Sequence, residues 1–255
     1  MNTNYDEMAS KTVKLTVRDL LLDALTVSSG AIDAISFLIL GKVFSAFMTG
    51  NIAFLGLQVA GAGGPDKVAV LVALIAFAVG VFLSTRIVKP SEGSGQWPRR
   101  VTVALGLSLI AHAVFLAVWF ANSGQPSNDV VHVLLGSWAL AMGMQSAAVR
   151  RLHVEGVFTT AATATVIFLV SDITNWSATL AERRRLAGVL FSLFIGATAG
   201  GLLLVHASIY APVLPFAITI AVVAAAAIIL PEHVSFVAEE QEAAMKKTRP
   251  APSHP

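Results

Sequence analysis

Residues 30–55 read GAIDAISFLILGKVFSAFMTGNIAFL. An acid, Asp33, stands inside one apolar stretch, and a polar break, Thr49-Gly50-Asn51, interrupts the next. A degenerate copy returns a hundred residues later. Gly156, Val157 and Phe158 match Gly41, Val43 and Phe44 once Lys42 is treated as an insertion. The same alignment sets Thr163 on Thr49, Thr165 on Asn51 and Phe168-Leu169 on Phe54-Leu55.

The composition says what surrounds these breaks. Of 255 residues, 56% are hydrophobic and only 13% charged, and the mean hydropathy is +0.76. A soluble domain carries roughly a quarter charged residues. So few charges cannot coat a globular surface, and most of the outside must face lipid. The net charge of +2 gives no basis for a nucleic-acid partner, because the basic residues are scattered through short loops. Cysteine is absent, which excludes disulfides and thiolate metal sites. The mixed polar N-terminus does not read as a signal peptide, so the chain is expected to insert by its own spans.

Apolar segments fall at about 19–40, 43–62, 68–88, 101–121, 130–149, 157–173, 187–207 and 211–230. Crossing about 30 Å of hydrocarbon takes roughly 20 helical residues. Gly61 to Pro65 reads as a turn, and Lys89 to Arg100 as a true loop. Pro212 and Pro215 stand where the first turns of the last helix tolerate a missing N–H.

Charge decides how many segments cross. If all eight cross, Lys and Arg divide almost evenly between the two sides. If 43–62 and 157–173 instead enter and leave on one side, every Lys and Arg except Lys42 and Lys67 falls inside. The positive-inside rule favours this arrangement. A seven-span variant, with 43–62 crossing and the N-terminus outside, is a less asymmetric alternative.

The fold class expected is therefore an all-α polytopic membrane protein of six transmembrane helices plus two broken or re-entrant segments. Residues 1–17 form a cytoplasmic tail, 18–121 a first repeat, 130–230 a second, and 231–255 a disordered cytoplasmic tail, with 18–230 one membrane domain. The first repeat starts inside and the second outside, so the two are inverted. Secondary transporters of this architecture bind solute near the midplane, where broken helices meet.

The candidate solute- or ion-binding residues are Asp33, Thr49, Gly50, Asn51, Gln145, Ser146, Thr163 and Thr165. A carboxylate inside a span costs roughly 2.5–3.5 kcal/mol, so Asp33 needs a function or a partner. About eight residues of helix, roughly 12 Å, separate it from a turn near Gly41. Gly50 lies a similar distance past that turn, which brings the two to one depth. Gly50 fits a bend, and Asn51 can cap backbone left unpaired there. Thr159 and Thr160 are weaker candidates, and helix-packing glue is the competing role for all the small and hydroxylated residues. His112 and His132 read as packing histidines. Arg150, Arg151 and Arg183-Arg184-Arg185 read as interface anchors, the last also suited to anionic lipid. Gly80, Gly196, Gly200 and Gly201 read as close helix contacts.

No HExxH, Walker loop or serine-nucleophile constellation is present. The chain reads as a non-enzyme that uses no cofactor or metal. Its partners are the lipid bilayer and an unidentified small solute or ion, and homo-oligomerisation is compatible with the pattern.

The blocks GAIDAISFLILGKVFSAFMTGNIAFLG and GMQSAAVRRLHVEGVFTTAATATVIFL resemble the YoaK family of small bacterial integral membrane proteins. The resemblance spans about residues 18–230, with Asp33 and Thr49-Gly50-Asn51 its specific part. Members of that family often carry Gln-Asn where this chain has Gln145-Ser146. The resemblance implies a bacterial inner-membrane location and a shared fold, and supplies no substrate. The leading expectation is a small-solute transporter or channel with a site between the two broken segments. A membrane scaffold or assembly partner is the alternative.

Overall fold

The computed structural model describes residues 3–88, 97–152, 154, 162–175 and 180–230. The 231–255 tail, most of the Lys89–Arg100 loop, Gly156 to Phe158, Thr159 and Thr160 lie outside the described residues. Among those described, all regular structure is helical: α1 (Thr3–Ile39), α2 (Met48–Val59), α3 (Lys67–Ile87), α4 (Arg99–Ala121), α5 (Asn128–Arg150), α6 (Ala162–Asn175), α7 (Leu180–Ala207) and α8 (Val213–Ile229), with a single 3-10 turn, Ser208–Tyr210, between the last two. Helix α1 reaches back to Thr3, through residues read from sequence as a tail.

Among the described residues, five helices are long and apolar enough to cross a membrane: α1 from Thr16, α3, α4, α5, and α7 with its 3-10 extension. Helix α8 is apolar but has 17 residues, the lower end of what a crossing needs. Helix α2 has 12 residues, too short to span, and the described part of α6 has 14. Large apolar side chains such as Ile75, Phe194, Val205 and Ile228 are exposed, as lipid-facing residues are.

The buried apolar residues form two clusters, one at each end of the bundle. The first joins Leu22 and Leu25 of α1, Val88 after α3, Val101 and Leu105 of α4, Ala148 and Val149 of α5, Leu186 and Val189 of α7, and Ala226 and Leu230 at the end of α8. The second joins Ile32 and Ile35 late in α1, Val70 early in α3, Phe115 and Trp119 late in α4, Leu134 and Trp138 early in α5, and Ala211 before α8. Helices α1, α4 and α7 therefore run from the first end to the second, and α3, α5 and α8 run back. Arg18, Arg86, Arg99, Arg100, Arg150, Arg151 and Arg183 to Arg185 all lie toward the first end, here the basic end, whereas Lys42 and Lys67 lie at the opposite one. Helix α2 packs through Phe54 and Leu55 on the opposite-end cluster, and α6 through Leu169 on the basic-end cluster.

Two parallel crossings hold the bundle, and glycines make both. Helix α1 packs on α7, where a Cβ on Gly30 would strike the Leu193 carbonyl and one on Gly196 the Val27 carbonyl. Helix α3 packs on α5, where a Cβ on Gly80 would strike the Leu140 carbonyl and one on Gly143 the Phe77 carbonyl. Small residues let backbones meet where lipid offers no hydrophobic drive to associate. The reading of Gly80, Gly196 and Gly200 as close contacts holds, but a Cβ on Gly201 would meet nothing within 4 Å.

Candidate functional site

The break before α2 is where the polar residues of the opening stretch converge. Helix α1 ends as Leu40 donates to the Ser36 carbonyl, and Gly41 and Lys42 then turn the chain with left-handed φ of 84° and 62°. Only glycine adopts this region without cost, and a side chain there costs about 1–2 kcal/mol. The irregular stretch runs on to Phe47. Thr49-Gly50-Asn51 is not itself the break, as the sequence suggested: all three residues are in the first turn of α2. Gly50 is needed for a different reason than bending. A Cβ there would come within 2.8 Å of the Phe47 ring and 3.1 Å of Phe44. With glycine, Phe44 stacks between Phe37 and Phe54, with ring centroids 4.9 and 6.1 Å away.

Backbone polar groups outside a helix need partners inside a membrane, and side chains supply them here. The Asp33 Oδ1 accepts from the Ser45 N–H at 2.9 Å and the Ala46 N–H at 2.7 Å. Asn51 turns back on Phe44, its Oδ1 accepting from the Phe44 N–H at 3.0 Å and its Nδ2 donating to the Phe44 carbonyl at 2.7 Å. Ser36 and Ser45 hydroxyls bond each other at 2.7 Å. A half-buried carboxylate thus sits at the N-terminal end of a short helix, where the backbone dipoles favour negative charge. Asp33 does reach the start of α2, but it bonds Ser45 and Ala46 instead of Thr49-Gly50-Asn51, and Asn51 does turn back on the unpaired backbone of Phe44. Ser36 and Ser45 were missed. Ser36 stands three residues after Asp33, on the same helix face, which was the available signal.

The other candidates are elsewhere. Gln145 is buried and donates to the Leu25 carbonyl of α1 at 3.3 Å, about eight residues, roughly 12 Å, along α1 from Asp33. Ser146 is half-buried and donates to the Met142 carbonyl of its own helix at 2.7 Å. Thr163 is exposed, as Thr49 is, and Thr165 is fully buried, as Asn51 is. His112 is buried, but its Nδ1 has no hydrogen-bond partner among the described residues. His132 does not pack in the core: its half-buried ring lies 3.3 Å from Asp66, which caps α3 by accepting from the Ala69 N–H at 2.8 Å. That Ala69 bond, with smaller help from His132, holds the Asp66 carboxyl below its ordinary range. Among the described residues, no group of three His, Cys, Asp or Glu stands close enough to hold a metal ion.

A family model described as Protein of unknown function (DUF1275) matches residues 21–226. The chain belongs to that family. It is 37% identical over 161 residues to the UPF0700 transmembrane protein YoaK of Bacillus subtilis (strain 168), covering 62% of this chain and 68% of the relative. No solved structure matches. The family match takes in the break and both glycine crossings. With the relative's transmembrane description and five apolar helices of spanning length, it identifies this family member as a multi-pass integral membrane protein.

Proposed function

We propose that this chain is a small-solute transporter or channel of the bacterial inner membrane, not an enzyme, built as two inverted repeats. The observation that carries the reading is the exchange of partners between the halves. Helix α1 packs on α7 as α5 packs on α3, α4 on α5 as α8 on α1, and α2 on α3 as α6 on α7. The Gly30–Gly196 crossing has its counterpart in Gly143–Gly80. Equivalent helices run in opposite directions. Setting Thr163 on Thr49 aligns the starts of α6 and α2, at Ala162 and Met48, and Leu169 and Leu55 then pack on opposite clusters. Half-length helices entering from both faces of an inverted pair are the pattern of alternating-access transporters. The concentration of arginine at one end favours a cytoplasmic basic end, six crossings and both termini inside.

In this reading Asp33 and Asn51 hold a half-helix in position, with Thr165 its buried counterpart in α6, and solute contacts fall to buried groups still able to bond. Purified protein in proteoliposomes, screened against small ions and neutral solutes by membrane currents and light scattering, should move at least one solute faster than protein-free vesicles. The second reading, a membrane scaffold or assembly partner, draws support from the same hydrogen bonds: Asp33 and Asn51 are spent on backbone. Correctly inserted protein that moves nothing in the screen would leave that reading standing.

A further inference from the structure

Helices α1, α4, α5 and α8 meet in the interior, and on α1, α4 and α5 one apolar cluster gives way to the other across a gap whose only buried apolar residues are Ala31, Ala111 and Met144. On α1 the basic-end cluster ends at Leu25 and the other begins at Ile32, with Ser28 and Ser29 between. On α4 the gap between Leu105 and Phe115 holds Ser108 and His112. On α5, Gln145 stands between Met142 and Ala148, and on α8 Thr219 stands before Val222. All six polar side chains are at most 1% exposed. They make a polar layer between two apolar ones.

Part of that layer bonds to itself. The Ser28 hydroxyl donates to the Pro215 carbonyl at 3.1 Å and lies 3.3 Å from the Thr219 hydroxyl. The His112 ring is 6.3 Å from that of Phe216, beside Pro215. The Gln145 amide reaches the Leu25 carbonyl, the turn of α1 that Ser29 follows by four residues. Yet the Ser29 hydroxyl, the His112 Nδ1 and the Gln145 Oε1 have no hydrogen-bond partner among the described residues. Buried polar groups are almost always bonded, and leaving one unbonded is expensive. Three such groups in one layer, at the junction of the two halves, are more than packing accounts for.

We propose that this layer binds a small, uncharged, exchangeable molecule that both donates and accepts hydrogen bonds. The inference deepens the transport reading and rests on it. The amide Oε1 can only accept, whereas a serine hydroxyl can do either, so the ligand needs at least one donor and can use an acceptor. None of the six side chains carries a fixed charge, and an ion without a counter-charge is very costly to bury. The nearest carboxylate along α1, Asp33, is four residues or roughly 6 Å from Ser29, and it is bonded to the Ser45 and Ala46 N–H groups before α2. Gly30 and Gly143 fall at the same depth and pin α1 and α5 to their neighbours at backbone contact, which limits the ligand to a few heavy atoms.

Stopped-flow light scattering of proteoliposomes, with urea and glycerol as probes, tests this. Wild-type protein should pass at least one probe faster than protein-free vesicles, and Gln145→Leu should reduce the excess about tenfold or more. Ser29→Ala, a smaller change, should reduce it in the same direction and guards against misfolding of the first variant. Neither probe moving faster through wild-type vesicles would overturn the proposal, while transport of ions could still stand. Probe flux that both correctly inserted variants retain in full would also overturn it, and would leave a transporter with its path elsewhere.

Discussion

Asp33 and Asn51 grip consecutive residues of one loop from two different helices, Asp33 at the N–H groups of Ser45 and Ala46 and Asn51 at both polar groups of the Phe44 backbone. Neither acts alone, because releasing one end lets the other end move. Asp33→Ala should lower stability in detergent by at least about 2 kcal/mol, since a buried group left unpaired costs roughly 1–3 kcal/mol. Asp33→Asn retains an acceptor oxygen and should cost less. With Asn51→Ala added, the double variant should fall short of the summed losses by more than about 0.5 kcal/mol. Thermal unfolding of the four proteins measures this. Any transport activity found should show the same non-additivity, and strictly additive losses would separate the two residues.

The glycine crossings separate crowding from helix propensity. Gly143→Ala places a methyl against the Phe77 carbonyl and should cost about 1–3 kcal/mol. Gly56→Ala meets nothing within 4 Å and should be neutral, or stabilising by up to about 1 kcal/mol. Unfolding midpoints of the two variants should move in different directions, and a Gly143→Ala protein as stable as the wild type would mean that the helices do not meet there.

Charge placement sets the orientation, and a cysteine-free chain makes it easy to read. Lys67→Cys, at the start of α3, should react with an impermeant thiol reagent in intact cells. Arg100→Cys, at the start of α4, should react only after the cells are opened. The reverse pattern would put the basic end outside.

Asp66 gives a pH dependence of known sign. Its carboxyl is depressed in the folded protein, chiefly by the Ala69 N–H. The stabilisation is therefore complete above the unfolded value of about 4 and fades as pH falls through the lower folded value. Loss of such a helix cap costs about 1 kcal/mol. Asp66→Ala should unfold earlier than wild type at neutral pH, and the gap should close on acidification below about pH 4. A gap unchanged in acid would show that the carboxylate contributes nothing.

Hydropathy and charge made the helices legible, because lipid demands long apolar segments and places arginine on one side. The meeting of Asp33 with the α2 break was legible too, since residues at equal distances from one turn come to equal depth. What Asp33 does there was harder to foresee. A carboxylate in a span signals a compensating partner, but the pattern does not say whether that partner is a solute or the chain's own N–H groups. Gln145 was picked at the end of the fifth apolar segment, and its contact with α1 comes from packing between the halves. Ser28 and Ser29 were weighed only as a serine nucleophile without a partner histidine, and Thr219 not at all, because small hydroxylated residues are ordinary in membrane helices and only their shared depth singles them out.

The two glycine crossings bear on how the protein is made. Each joins a helix of the first half to one of the second, α1 to α7 and α3 to α5. A ribosome that has delivered residues up to Ala121 has placed three long helices in the bilayer, two of them with a glycine face and no mate. Those faces must wait in lipid until α5 and then α7 emerge. Stable tertiary structure is thus a late event in biosynthesis, and a chain truncated between the halves would leave the surfaces around Gly30 and Gly80 open to whichever other membrane helices pass by.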